Sequence, residues 1–467
     1  MDHLGPLDSV FVEAEDQDTH TSMAIASIAV FEGPAPGYEA VVGLLQRRLP
    51  RLPHHRQRLV EVPAHAGSPV WVDAENFDIG YHVRQTALPA PGGDAELCAL
   101  MGRLMGQRLD RDHPLWETWL VTGLNDGRWA LISKVHHCMV DGVSGVDLYR
   151  VLFATEGTPE IRPFRARRAP STAALVTDAA RVAVDLPGRL AVAALAAARH
   201  PYRAGLEAFT LVGALRGLVP AATPAPPSSL SGPIGSARRY RVARVRLADV
   251  VAVKREAGAT VNDVVLTAVT AGFRDLLIAR GERPGEGMVP SLVPVSLRSP
   301  GEQGLYGNRV SGLVVDLPVH LPTPPEQLRA VSSEVGRLKA GGGALAGAAG
   351  VELARYLPYP LASLTRLLFR VPQRELVTVT TNVPGPPQAL DCMGRRLIEI
   401  LPFVPIASTV RIGVAVMSYD EQLVFGITGD YDSAPDIDVL AGGIERAVGQ
   451  LRASLVRPSS RHLMPLA

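Results

Sequence analysis

The sequence predicts an α/β (α+β) protein of two similar-sized domains, each a mixed sheet with flanking helices. Residues 1–160 alternate strand-like and helix-like apolar patterns, and residues 236–467 do the same. Between them, residues 161–235 are rich in Ala, Arg and Pro and end in the run PAATPAPPSSLSGP, which is typical of a connector. We therefore expect two domains joined by a helical connector, with the functional site at their seam.

In the first domain, MAIASIAVFEG is apolar and ends at a turn, which predicts a buried strand. GDAELCALMGRLMGQRLD carries apolar residues at helical spacing and predicts an amphipathic helix. RWALISKVHH predicts a strand and GVDLYRVLFA predicts the helix after it. This order places the residues HHCMVDG on a connecting loop, where functional side chains are commonly displayed. In the connector we expect two helices, broken near DLPG.

In the second domain, TVNDVVLTAVTAGFRDLLIARG predicts a long helix. Thr260 is its expected N-cap, and Asp263 stands where the acid of a capping box belongs. DIDVLAGGIERAVGQLRASL predicts a closing helix. The remaining apolar runs predict strands, the last of them a hairpin about a four-residue turn: RRYRVARVRL, PSLVPVSLRS, RVSGLVVDLPV, LVTVTTNVPGP and VRIGVAVMSYDEQLVFGITGDY.

Composition narrows the class of protein. The chain of 467 residues is 47% hydrophobic and 20% charged, with a net charge of +1, which disfavours nucleic acid as a partner. Its three cysteines stand far apart, which favours a reducing compartment over a disulfide framework or a zinc site. The N-terminus lacks a basic start before an apolar run, and no segment reaches about 18 uncharged apolar residues. We expect neither a secretory signal nor a transmembrane helix.

The pair His136 and His137 is followed closely by Asp141 and Gly142. Neighbouring strand residues point to opposite faces, so one ring can pack inward while the other faces a cavity. Histidine is suited to accepting a proton near neutral pH. Asp141 could orient an imidazole or lock the loop, and Gly142 lets the backbone turn and a substrate approach. The alternative is an ordinary core histidine beside a turn.

The stretch HHCMVDG resembles the HHxxxDG motif of the superfamily of chloramphenicol acetyltransferases and peptide-synthetase condensation domains. Further stretches occur in the order seen in bacterial wax ester synthase/acyl-CoA:diacylglycerol acyltransferases, among them PLDSVF, LDRDHPLWE, TVNDVVL, VPVSLR, TNVPGP and MSYDEQLVFGITGDYD. The resemblance covers nearly the whole chain, is strongest to actinobacterial triacylglycerol synthases and is weakest in the connector. It implies two chloramphenicol-acetyltransferase-like domains with an active-site tunnel at their seam.

The resemblance implies acyl transfer from acyl-CoA to the hydroxyl of diacylglycerol or a long-chain alcohol, without a covalent intermediate or a cofactor. By residue match, His137 is the general base. Asp141 acts structurally, since the matching Asp pairs with an Arg in the superfamily, and Arg298 in VPVSLRS is the candidate partner. The alternative for Arg298 is a solvated side chain after a strand. Cys138 is expected to be a buried apolar residue, not a nucleophile.

Further candidates come from the same motifs. Asn262 can donate to an oxyanion or to His137, or simply cap its helix. Asp263 is counted with the substrate-binding candidates, although capping or holding the helix is the favoured interpretation. Leu115 and Trp116 can line an acyl channel, or Trp116 can be core. The rigid loop NVPGP is interpreted as an active-site wall or domain bridge.

Two other functions stay open. One is an HHxxxDG enzyme for another acceptor, such as an amide-forming condensation domain. The other is a non-catalytic member that binds lipid or coats a droplet. In every case we expect a cytoplasmic protein held peripherally at the inner membrane or at lipid droplets. The predicted docking surface is residues 161–216, whose nine Arg against Asp178, Asp185 and Glu207 give a net of 9 − 3 = +6. The alternative is a solvated linker. The sequence leaves the oligomeric state open.

Overall fold

The structure is a computed structural model. It describes residues 1–139, 149, 151–153, 164, 166–185, 188, 199, 226–296, 310–340 and 376–455. Four predictions fall wholly or largely outside these residues: the Asp141–Gly142 turn, Arg298, the helix over GVDLYRVLFA and most of the connector.

The first half of the chain builds most of one sheet, with strand order β11-β12-β1-β6-β5-β4. The strand Trp129–His136, β6, is buried at every position, including Ser133 and Lys134, and the Lys134 ammonium donates to the Leu104 and Gln107 carbonyls at 2.9 and 2.6 Å. The elements of this half are α1 (Pro6–Gln17), β1 (Ala24–Phe31), α2 (Tyr38–Arg48), β2 (Gln57–Val60), β3 (Val70–Asp73), α3 (Ile79–His82), β4 (Val83–Ala87), α4 (Asp94–Met105), β5 (Trp116–Thr122), β6 (Trp129–His136) and, in the connector, α5 (Thr172–Val184).

The second half builds a second sheet, with strand order β7-β14-β13-β10-β8-β9. The long helices α7 and α9 pack closely on each other over its core. The elements are β7 (Arg238–Arg246), α6 (Leu247–Ala257), α7 (Val261–Ala279), β8 (Pro290–Ser296), β9 (Val310–Asp316), α8 (Pro324–Ala340), β10 (Thr378–Pro384), β11 (Asp391–Cys392), β12 (Arg395–Phe403), β13 (Ile412–Tyr419), β14 (Gln422–Asp430) and α9 (Ile437–Leu455).

Two strands cross from the second half of the chain into the first sheet. Strand β12 pairs antiparallel with β1, with Ile28 opposite Leu401, and β11 pairs with β12 at the sheet edge. The predicted domain 236–467 therefore contributes strands to both sheets.

The two sheets approach each other closely at the seam. A Cβ at Gly426 of β14 would overlap the carbonyl oxygen of Pro402, and the Tyr240 hydroxyl donates to that same carbonyl at 2.8 Å. A partly buried ion pair adds to this contact: Arg244 of β7 bonds both carboxylate oxygens of Glu399 on β12, at 2.8 and 3.2 Å, and also reaches Asp94 at the start of α4. Elements of both halves are thus fixed against each other.

The strands predicted from the apolar runs are confirmed, including the hairpin of β13 and β14, where Tyr419 pairs with Gln422. The predicted helices α4, α7 and α9 are also confirmed. The capping box is present at α7: Thr260 N–H donates to Asp263 Oδ2 at 2.9 Å, and Asp263 N–H donates to Thr260 Oγ1 at 3.1 Å. Among the described helices, none is both long enough and apolar enough to cross a bilayer.

Candidate active site

The two histidines leave the sheet on different paths. His136 is the last residue of β6 and is buried, whereas His137 opens a single 3-10 turn that runs to Met139. The His136 N–H donates to the Leu115 carbonyl at 2.9 Å, and the His137 N–H donates to the Met23 carbonyl at 3.0 Å. The chain thus places one ring in the packed interior and the other, half-buried, beside α1.

The His137 ring is held flat against an aromatic neighbour. It stacks on Phe11 of α1, with ring centroids 3.8 Å apart and an interplanar angle of 22°. Its Nδ1 is buried and has no hydrogen-bond partner among the described residues. Burial lowers the pKa of His137 to about 4. At neutral pH the ring is therefore uncharged, the form that can accept a proton.

His136 is tied to groups on both sides of its ring. Its Nε2 lies 3.4 Å from Glu15 Oε1, and both side chains are almost completely buried. Its Nδ1 accepts the backbone N–H of Cys138 at 3.2 Å and lies 2.9 Å from the Cys138 sulfur. Burial would raise the pKa of Glu15, but its interaction with His136 and the hydrogen bond from the Met23 N–H bring it below the usual value.

Cys138 is buried, and burial raises the pKa of its thiol well above the ordinary value. The thiol has a histidine within reach, which sequence reasoning did not foresee, but its raised pKa keeps it protonated. A protonated thiol is a poor nucleophile. The geometry therefore agrees with a buried, unreactive Cys138.

Helix α1 supplies two site residues that sequence reasoning missed. Phe11 contacts His137 and Glu15 contacts His136, from positions one turn apart on one face of the helix. The sequence signal was the stretch PLDSVFVEAEDQ, in which an acid follows an aromatic residue by four positions. The sequence analysis predicts a family motif in this stretch, but it does not predict helix α1.

Asn262 and Asp263 begin α7. Asp263 is buried, and its Oδ2 is occupied by the capping box, so its carboxylate serves the helix start. Asn262 is half-buried, and its Oδ1 accepts the side-chain amide of Asn382 at 3.4 Å. Asn382 lies in the NVPGP motif, for which the sequence predicts only the role of an active-site wall or a domain bridge. Among the described residues, no hydrogen bond joins these two asparagines to the histidine pair.

Leu115 and Trp116 are both buried. The Trp116 indole donates to the His55 carbonyl at 2.8 Å, and its ring stacks on His82 with centroids 4.5 Å apart. Trp116 is thus a buried aromatic residue, and its place in an acyl channel stays a prediction. The same residue also borders a small cavity, which is lined by Leu45, Arg48, Leu49, Leu52, His55, Trp116, Thr118, Ser133, Val135 and Leu152.

Asp141, Gly142 and Arg298 lie outside the described residues. Their roles, including the proposed pairing of Asp141 with Arg298, stay predictions.

Comparison with known proteins places this site in a family. Residues 4–265 match the model of the wax ester synthase/diacylglycerol acyltransferase catalytic domain, and residues 306–452 match that of the WS/DGAT C-terminal domain. A relative named probable diacylglycerol O-acyltransferase tgs1, from Mycobacterium tuberculosis (strain ATCC 25618 / H37Rv), is 42% identical over 97% of this chain and 96% of its own. A second relative from that strain, named putative diacylglycerol O-acyltransferase Rv3371, is 32% identical over 97% of this chain and 91% of its own.

Solved structures share the fold. The wax ester synthase/diacylglycerol acyltransferase from Marinobacter aquaeolei VT8 is 23% identical, with a TM-score of 0.66 over 97% of this chain and 99% of its own. The first condensation domain of the CDA synthetase is 16% identical, with a TM-score of 0.62 over 98% and 97%. These likenesses confirm the predicted fold class. By its family-model matches and its relatives, the chain belongs to the wax ester synthase/diacylglycerol acyltransferase family.

Proposed function

We propose that the protein is an acyl-CoA-dependent O-acyltransferase that esterifies diacylglycerol to triacylglycerol. The observation that carries the proposal is the uncharged His137, held by its backbone and by Phe11 at the end of β6. Family membership and the names of the relatives support the reaction class. Esterification of long-chain alcohols to wax esters is a second activity of the same chemistry.

The mechanism needs one proton acceptor. His137 takes the proton of the acceptor hydroxyl while its oxygen attacks the thioester carbonyl of acyl-CoA. The tetrahedral intermediate collapses, the C–S bond breaks and the CoA thiolate takes the proton from the His137 imidazolium. Because the pKa of His137 is about 4, its imidazolium is more acidic than an ordinary one and returns the proton readily to the thiolate. Cys138 stays a thiol throughout, so no acyl-enzyme forms.

The reaction class is tested with purified protein, labelled palmitoyl-CoA and one acceptor at a time: diolein, hexadecanol or hexadecylamine. Products are separated by thin-layer chromatography, and CoA release is followed with a thiol reagent. We expect labelled triacylglycerol with diolein, and none with His137→Ala. Labelled amide as the main product would instead favour the condensation-type alternative, and binding without any product would favour a non-catalytic lipid-binding member.

We also propose that the protein docks peripherally on a lipid surface through its connector, because diacylglycerol is too apolar to arrive through water. In the described part, α5 packs Leu175 and Ala179 inward on a small apolar cluster. It leaves Val176 and Val184 exposed, 42% and 76%, beside the exposed Arg181. A helix with apolar and basic residues on its outer face suits an anionic leaflet.

Flotation with vesicles tests this docking surface. Wild type should float with phosphatidylglycerol-containing vesicles at low salt and less at high salt, because salt screens each basic group's contribution of about 1 kcal/mol. A variant with Arg167, Arg168, Arg181 and Arg199 changed to Gln should lose flotation and keep acyl transfer in detergent. If the variant floats like wild type, the docking surface lies elsewhere.

A further inference from the structure

Glu15 is linked to the histidine pair by two separate routes. Its Oε1 faces Nε2 of His136 at 3.4 Å, and the same oxygen accepts the Met23 N–H at 2.6 Å. The Met23 carbonyl in turn accepts the His137 N–H at 3.0 Å. The buried Glu15 carboxylate therefore contacts the side chain of His136 directly. It is also linked to the backbone of His137 through Met23, the residue directly before β1.

The contacts of His136 define where its proton resides. Because Nδ1 accepts the Cys138 N–H, that nitrogen must present a lone pair. The proton of the neutral ring then sits on Nε2, which lies 3.4 Å from Glu15 Oε1, within electrostatic reach but without hydrogen-bond geometry. A carboxylate at this position favours this tautomer, since its negative charge attracts the Nε2–H dipole and would repel a lone pair on Nε2.

This tautomer bears directly on the turn that carries His137. The bond from Cys138 N–H to His136 Nδ1 spans His137 and closes the turn around it. With the proton on Nδ1 instead, two N–H groups would face each other and the turn would open. The ring of His137 would then lose its position against Phe11.

The anchoring of α1 does not depend on the Glu15 carboxylate alone. Arg108 donates to the main-chain carbonyls of Glu15, Asp18 and Thr21, the last at 2.9 Å. Arg111 bonds Asp16 at 2.7 Å and the Val12 carbonyl at 3.1 Å. A change confined to the Glu15 carboxylate therefore leaves most of the bonds that hold the end of this helix.

We propose that Glu15 is a positioning residue for acyl transfer: its carboxylate fixes the Nε2-protonated tautomer of His136, which holds the turn that presents His137. The inference rests on the proposed role of His137 as the base. Glu15 itself does not touch the substrate, and it acts through His136.

The test compares Glu15→Gln and Glu15→Asp with Asp16→Asn. Asp16 is the matched control, because it loses the same charge on the same helix and pairs with the same arginine, Arg111, without contacting a histidine. We expect Glu15→Gln to lower kcat by about 10- to 100-fold, the range known for the loss of an outer partner that orients a metal-bound histidine, with KM for palmitoyl-CoA within about twofold. Glu15→Asp keeps the charge and should recover part of kcat, and Asp16→Asn should behave like wild type.

A second readout does not depend on turnover. Long-range ¹H–¹⁵N spectra of histidine-labelled protein report the tautomer of each ring, and the His136 signals are assigned by their loss in His136→Gln. The wild type should show Nε2–H at His136, and Glu15→Gln should show a mixture or the other tautomer. If Glu15→Gln does not fold, Glu15→Asp carries both measurements.

The outcomes separate the two proposals. A kcat of Glu15→Gln close to wild type, or an unchanged tautomer with kcat and melting temperature falling together, overturns the positioning role. If His137→Ala keeps full activity while the tautomer of Glu15→Gln shifts, the general-base assignment fails and the link from Glu15 to His136 stands.

Discussion

Phe11 and Glu15 lie one turn apart on α1, and each contacts a different member of the histidine pair. Phe11 stacks on the ring of His137, and Glu15 faces the ring of His136. The two histidines are adjacent in sequence but diverge because one ends a strand and the other begins a 3-10 turn. A single helical face thereby fixes both rings, although they have different surroundings.

Replacing His137 by Ala should abolish most turnover and leave the fold intact. Removal of a general base typically costs about 10² to 10⁴ in rate. The half-buried ring contributes little core, so the melting temperature should stay close to wild type. In contrast, His136→Ala should lower the melting temperature, because it leaves a cavity at a fully buried position and removes the histidine that faces Glu15. Steady-state kinetics and thermal unfolding on both variants check this, and near-normal turnover of clean His137→Ala would mean that the mechanism is wrong.

The pH dependence of kcat/KM should reflect the low pKa of His137. The ring is active when unprotonated, so activity is lost as pH falls through its pKa, and that pKa is about 4 instead of 6.5. We expect kcat/KM to stay nearly level from neutral pH down to about pH 5. A half-maximal point near pH 6.5 in the free enzyme would contradict the burial-lowered pKa.

Stability should fall as the solution is acidified below pH 6.5. Burial lowers the pKa of His55 to about 3 and those of His82 and His137 to about 4. Between pH 6.5 and these values the unfolded chain binds protons that the folded chain does not, so the free energy of unfolding decreases with decreasing pH. Urea unfolding at pH 7 and pH 5 measures the loss. His82→Phe, which keeps an aromatic ring against Trp116, should show a smaller loss between the two pH values.

Asp141 and Arg298 should act as a pair. Removing one partner of a buried ion pair costs about 3 to 5 kcal/mol, because the other charge stays buried. Asp141→Ala should therefore lower both the melting temperature and the activity. A double-mutant cycle with Arg298→Ala measures the coupling, and strictly additive losses would show that the two side chains do not touch.

The Arg244–Glu399 pair should stabilise the seam between the sheets. Glu399→Gln removes the charge from a bidentate contact whose carboxylate is nearly buried, and we expect a loss of about 1.5 to 3 kcal/mol in the free energy of unfolding. Asp275→Asn is the matched control, since it breaks the Arg446 pair at 2.8 Å on the exposed surface. That control should lose less than about 1 kcal/mol. Equal losses in denaturant unfolding would argue against a special role for the seam.

Local features were predictable from the sequence, whereas contacts between distant segments were not. The strand patterns and the Thr260–Asp263 capping box depend on residues close in the chain, and both are present. Strand β12 went unassigned, because its apolar run is short and its partner β1 lies far away in sequence. For the same reason, the local sequence does not predict the contact of Glu15 with His136, which joins residues more than a hundred positions apart. The hydrogen bond between Asn382 and Asn262 is likewise a contact between distant segments that the sequence does not predict.

The insertion of β12 beside β1 has a consequence for biosynthesis. After β6 leaves the ribosome, β1 can pair with it on one side only, because its other neighbour is encoded about 260 residues later. At roughly 5 to 20 residues per second, that interval lasts on the order of tens of seconds. Throughout it, the first sheet carries an open edge of unpaired N–H and C=O groups, the kind of edge that templates aggregation. The β1 edge of the nascent sheet is therefore closed only once β12 has been synthesised.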